Sequence, residues 1–215
     1  MKETMTVHKA LAELKTLDSR IQKEISRVEF FVVNKHSNTK INGIPVAEYA
    51  NNAKDNYKSI CTLINRRNAI KRAVTRSNAT ATVVINGTEY TVAEAIDMKS
   101  VGMGHMKQLL DVINSQYTAA KRMADRKNGD ELDRRADEYV KSLYENADMK
   151  NMSEEVRKVR ETFVESQTMD IIDPIGAENV MKILQDEIDA FTSEVDSALS
   201  VSNALTTIEV EYETV

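Results

Sequence analysis

The chain has 215 residues, a formal charge of -5, 29% charged side chains, 5% aromatic ones, and only 6 Gly and 2 Pro. A single cysteine, Cys61, excludes an internal disulfide framework and a thiolate zinc cluster. The longest strongly apolar run is Phe30-Phe31-Val32-Val33, far short of a helical span, so a soluble protein of a reducing compartment, with no membrane partner, is expected.

The charge is uneven: +9 over residues 1–128 and -14 over 129–215. Opposite halves are expected to lie against each other or against neighbouring copies; a basic half that grips nucleic acid is the less favoured alternative. Few aromatics and many Met favour helices packed through Leu, Ile, Val, Ala and Met.

After the cap candidate Thr6, Val7, Leu11, Leu14, Leu17, Ile21, Ile25, Val28 and Val32 advance by threes and fours, which predicts a first amphipathic helix ended by the polar run at 34–43. Pro45 suits the first turn of a second helix over 45–77, with Val46, Ala50, Ala53, Tyr57, Ile60, Ile64, Ile70 and Val74 inward. A hairpin turning on Asn86-Gly87 follows, the pair best suited to a type I′ turn. Thr91 with Glu94 forms a capping box for a third helix reaching Lys127, and Gly129 stands where a helix cap is wanted. A fourth helix carries Leu132, Ala136, Val140 and Leu143 and is interrupted at 146–153. Ser153 restarts it with Val156, Val159 and Phe163, and Asp173-Pro174 opens a last helix with Ala177, Leu184, Ile188, Phe191, Val195 and Ala198.

Two short motifs recur. Ser-Asn-Ala at 77–79 and at 202–204 each leaves a long helix for a Thr-rich, β-branched segment, and the second segment alternates apolar with acidic residues as a strand with one wet face does. Asn-Gly before Val-Ala-Glu also occurs twice, at 42–48 and 86–94, as a duplicated strand-turn-helix element would show, with 30–33 as the partner strand of the first copy. Because two strands alone are marginal in water, the hairpin 80–91 is expected to recruit the C-terminal strand 205–212. The fold class is therefore mainly α: an elongated antiparallel helical bundle or coiled coil with a small antiparallel β-sheet, read as one elongated domain over 1–215.

Catalytic constellations are hard to assemble. His8, His36 and His105 lie far apart without neighbouring ligands, Cys61 has no His nearby, and no cofactor is expected. Gly102 and Gly104 lack the third glycine of a dinucleotide loop and mark a close helix crossing or, second, a kink. Acidic residues of the last helix read as its solvated side. The cluster Arg66, Arg67, Lys71, Arg72 and Arg76 is scattered about its helix, so pairing with the acidic half of this chain or of another copy is favoured over phosphate binding. Arg66, Arg67, Lys71 and Arg72 are the residues from which an anionic-ligand or nucleotide site would be built.

The run from Asn65 to Ile96, with Asn-Arg-Arg-Asn, Ser-Asn-Ala-Thr, Asn-Gly and Thr-Val-Ala-Glu-Ala-Ile, together with the terminal Ser-Asn-Ala-Leu-Thr-Thr-Ile-Glu-Val, resembles the septicolysin-like family of small helical proteins. The whole length is similar to uncharacterised helical proteins of phages and prophages of Gram-positive bacteria. The resemblance implies an oligomeric helical protein of phage context, in a virion or the host bacterial cytoplasm, partnered by its own copies or other phage structural proteins. It brings no catalytic residues. The expectation is a non-enzymatic, self-associating structural or assembly protein; the alternatives are an oligomeric module that sequesters an anionic ligand and, as the family name implies, a pore former.

Overall fold

The structure, a computed structural model, describes residues 1–144 and 152–215, so the interruption expected at 146–153 lies, up to residue 151, outside the described residues. In chain order the elements are β1 (Lys2–Thr6), α1 (Val7–Arg27), β2 (Lys40–Ile41), β3 (Ile44–Pro45), α2 (Val46–Thr80), β4 (Thr82–Ile85), β5 (Thr88–Thr91) and α3 (Val92–Asp97). A π-helical turn (Met98–Gly102), α4 (Met103–Asn128), α5 (Asp130–Leu143), α6 (Glu154–Gln167), α7 (Ala177–Leu205) and β6 (Thr207–Glu211) complete them. The fold is mainly helical with small antiparallel sheets. The chain divides into two compact units, Met1–Val101 with Ala190–Val215, and Gly102–Asp189.

Within the first unit, α1 and α2 run in opposite directions, as contacts of Asp18 with Arg67 and of Phe30 with Tyr57 require. Their core joins Val7, Ala10, Leu14 and Leu17 of α1 to Ala69, Ile70 and Val74 of α2, roofed by Met5, Ile208 and Val210 from the strands. The C-terminal strand does not recruit the hairpin, contrary to expectation: β6 pairs antiparallel with β1, from Lys2 opposite Glu211 to Thr6 opposite Thr207, and β4–β5 is a separate two-stranded sheet. The reason lies in which face each ladder buries. Ile208 and Val210 need an apolar floor, which α1 and α2 supply, whereas Val83 and Ile85 are buried by their own neighbours, with Tyr90 edge-on to Phe191 at 5.8 Å.

α1 stops at Arg27, well before Val32, and 28–39 holds neither helix nor strand. Tyr49 donates its hydroxyl hydrogen to the Glu29 carbonyl, and Phe30 packs edge-on against Tyr57, so the start of the apolar run rests on α2 while Phe31 and Val33 stay exposed. The strand opposite β3 is accordingly β2 rather than 30–33. Both Asn-Gly pairs turn left-handed, with φ of 47° and 84° at Asn42 and Gly43 and of 49° and 73° at Asn86 and Gly87, which Asn and Gly tolerate best. The same hairpin turn thus precedes α2 and α3, without 30–33 as a strand.

A backbone bond recurs wherever a strand pair feeds a helix. The N–H of Val7 donates to the Thr206 carbonyl (2.9 Å), that of Val46 to Thr39 (3.1 Å) and that of Val92 to Ala81 (2.8 Å). Each helix begins with Val immediately after a strand, so the last ladder bond satisfies one of the donors that a helix N-terminus leaves open. Thr6 and Thr91 add side-chain caps to Lys9 and Glu94, the latter a full capping box.

In the second unit, α5 and α6 run in opposite directions, Arg135 reaching Gln167 and Tyr139 stacking on Phe163 at 4.6 Å. Leu132, Ala136, Val140 and Val156 are buried there. Ser153 caps α6 as expected. Asp173 also caps, accepting from Ile175, Gly176 and Ala177, but α7 starts at Ala177 because Gly176, at φ +68°, turns the chain before it. The third helix is not continuous: a π-helical turn ending at Gly102 splits it, and a Cβ on Gly104 would meet nothing within 4 Å, so Gly104 marks no close crossing and the expected kink is the local deformation beside it.

Ile70 has no exposed surface in the α1–α2 core. Ile70→Ala is expected to lower unfolding stability by about 2–5 kcal/mol, against less than about 1 kcal/mol for Val84→Ala on the exposed face of β4. Urea denaturation measures both, and equal costs contradict this placement of the core.

Candidate functional site

β6 and the length of α2 beside it gather the polar side chains that sequence reasoning singled out. Arg66 reaches up from α2 to the inner face of the β1–β6 ladder. Its Nη2 donates to Glu3 at 2.9 Å and its Nη1 to the Tyr212 hydroxyl at 2.8 Å, while its Nε donates to Glu13 of α1. The guanidinium carbon also lies 5.2 Å from the Tyr212 ring centre. The side chain is 21% exposed. The Glu13 bond chiefly raises its pKa further above the ordinary arginine value; burial opposes this, and the bonds to Tyr212 and Glu3 add to it. The Glu3 carboxyl is held below its ordinary value, mainly by the Arg66 hydrogen bond, with burial opposing and the charges of Arg66 and Lys9 assisting.

Arg66 therefore ties β1, α1 and the C-terminal segment together. Arg67 holds Asp18 of α1 at 2.9 Å. Pairing was expected with the acidic second half of this chain or of another copy, but within the chain the carboxylates holding Arg66 and Arg67 come from β1 and α1, because the antiparallel helix pair places them closest. Lys71 and Arg72 are exposed and, among the described residues, pair with no carboxylate. Of the four, Arg72 lines a groove of about 860 Å³ between α2 and β6, with Arg76, Lys2, Glu209 and Glu211. Arg76 was part of the sequence cluster but not among the site residues, and Lys2 and the β6 edge were missed. Lys2 to Thr6 carries a single apolar residue, Met5, so no periodicity announced the unexpected strand.

The two Ser-Asn-Ala exits build corresponding surroundings. Ala81 N–H donates to the Ser77 carbonyl, and Thr206 N–H to that of Ser202, so the same turn leaves α2 and α7. A second groove, about 440 Å³, lies between β4 and the end of α7. Position by position, Ala198, Val201, Ser202 and Leu205 stand there where Ala73, Arg76, Ser77 and Thr80 stand in the first, and Val84 stands for Glu209. One groove is charged and the other apolar on the same backbone plan.

Cys61 is half-buried one turn from Tyr57, whose hydroxyl pKa is raised, chiefly by the neighbouring Cys61 thiol. Among the described residues no group of three His, Cys, Asp or Glu side chains could hold a metal ion. No helix of the described residues is long and apolar enough to cross a membrane. Comparison of the chain with protein-family models, with curated proteins and with solved structures found no match.

Glu3 carries a pH dependence. Its folded-state pKa lies below the ordinary 4.5, so its contribution is fully present above that pH and is lost as the pH falls through the lower folded value. Stability measured by urea from pH 6 to pH 3 should fall more steeply for the native chain than for Glu3→Gln; identical slopes contradict the Arg66 tie. Arg66→Ala should cost about 1–2 kcal/mol at pH 7 in the same titration, since it leaves two carboxylates without their shared donor.

Proposed function

We propose that this chain is a non-enzymatic, self-associating structural or assembly protein, of phage or mobile-element context, acting in a virion or in a complex inside the host bacterium. The observation that carries this reading is α4. Of its 26 residues only Met103 is buried, while Met106, Leu110, Ile113, Tyr117 and Ala120 form a half-covered stripe. Beside that stripe Leu109, Val112, Ala119 and Met123 are exposed, Leu109 by 51%, Val112 by 43% and Met123 by 59%, with steps of three, seven and four residues that keep them near one side of the helix. A helix with apolar residues over so wide an arc is suited to a further helix of another chain.

Exposed apolar side chains elsewhere support the same reading. Phe31 and Val33 are 90% and 99% exposed, and Leu205 is 76% exposed. Side chains this exposed are available to contacts with another chain. The resemblance to septicolysin-like and phage proteins supplies the context, and the oligomeric helical architecture it implies is compatible with these surfaces.

Light scattering coupled to size exclusion tests the proposal. At tens of micromolar the native chain is expected to give a mass well above the 24.2 kDa of one copy, and Leu109→Ser with Val112→Ser and Met123→Ser to return it towards that value. A native chain that stays at the single-copy mass overturns the reading.

A further inference from the structure

We infer that the groove between α2 and β6 binds an extended polypeptide segment of another protein, added as a third strand to the outer edge of β6, with carboxylates on alternate residues facing Arg72 and Arg76.

The edge is defined by the ladder. Met1 and Tyr212 exchange both of their backbone bonds, Met1 N to Tyr212 O at 2.7 Å and Tyr212 N to Met1 O at 3.1 Å. In an antiparallel pair such bonded residues alternate, so Val210 and Ile208 also turn their backbone groups to β1, and Thr207, Glu209 and Glu211 turn theirs outward. Those three residues are exposed and line the groove, and among the described residues their backbone N–H and C=O groups make no bond outside the ladder. An open row of three donors and three acceptors is the template that strand addition uses.

The opposite wall sets the chemistry. Ala69, Arg72, Ala73 and Arg76 of α2 line the groove, and neither arginine pairs with a carboxylate among the described residues. The alanines leave room for a backbone, and the arginines are four residues apart. That spacing is about 6 Å along a helix, close to the roughly 6.6–7 Å between alternate residues of a strand. Side chains of an added strand that lie beside Ile208 and Val210 face α2, so acidic groups there meet the two guanidinium groups. Side chains of the other set lie beside Glu209 and Glu211 on the outer face, where neutral or basic groups are required. Arg66 and Arg67 take no part, since carboxylates of this chain already hold them. The inference does not depend on self-association, whose stripe lies on α4.

The experiment titrates the full chain against a fluorescein-labelled nonapeptide of alternating Glu and Thr, read by anisotropy. Saturable binding is expected, weakened by about tenfold or more in Arg72→Ala with Arg76→Ala. Both side chains are exposed, so the double variant should keep the native far-ultraviolet spectrum. Arg72→Glu with Arg76→Glu should exchange the preference to a Lys-Thr peptide. N-methylation of every second peptide amide should abolish binding in one phase and leave it intact in the other, which a merely electrostatic attachment would not do.

Absence of saturable binding, or equal binding of the two methylated phases, overturns the proposal. Tighter binding of a single-stranded oligonucleotide lost in the same double variant assigns the groove to phosphates and overturns it too. Concentration-dependent self-association abolished by that variant makes the occupant a second copy, and the assignment to another protein fails.

Discussion

A two-stranded ladder cannot hold itself together in water, and the organisation of the first unit follows from how this chain meets that limit. Each of its three strand pairs hands its last backbone bond to the valine that opens the next helix, so ladder and helix satisfy each other's open groups. The β1–β6 pair goes further and lays Met5, Ile208 and Val210 on the α1–α2 core. Segments from opposite ends of the sequence thus become the roof of one apolar layer, and that roof fixes where Arg66, the β6 edge and the groove beside it lie.

Electrostatics then act locally. A chain with a basic first part and an acidic second part suggests attraction between halves, and Lys2 with Glu209 and Lys99 with Asp196 do join them, whereas the ion pairs of Arg66 and Arg67 close within the first part and those of Arg160 with Asp133 and Asp137 within the second. Short-range geometry decides these contacts because exposed charges beyond about 10 Å are screened at moderate salt. The consequence is a division of labour on α2: Arg66 and Arg67, near the antiparallel partner α1, serve cohesion, while Arg72 and Arg76, further along and lining the groove beside β6, form no ion pair among the described residues.

What was legible in the sequence followed from periodicity and local stereochemistry. Heptad spacing located α1, α2, α5, α6 and α7, and Thr6, Thr91, Ser153 and Asp173 were readable as caps because each side chain satisfies backbone donors of its own helix start. Asn-Gly marked both turns, and the Ser-Asn-Ala echo marked two equivalent helix exits. The pairing of β6 was not legible, since its choice between the hairpin and β1 depends on which apolar floor is near, a non-local fact. The π-helical turn was hidden because Gly102 and Gly104 are compatible with either a crossing or a deformed helix. The cation cluster was visible as a group, but its separation into paired and unpaired members required the position of α1.

Amide hydrogen exchange along β6 tests the closure of head and tail most directly. The amides of Ile208 and Val210, bonded to β1, should be protected to a similar degree as those of the α1–α2 core, while those of Thr207 and Glu209, turned to the open edge, should exchange quickly. Fast exchange at all four positions would show a tail detached from β1 and contradict the account.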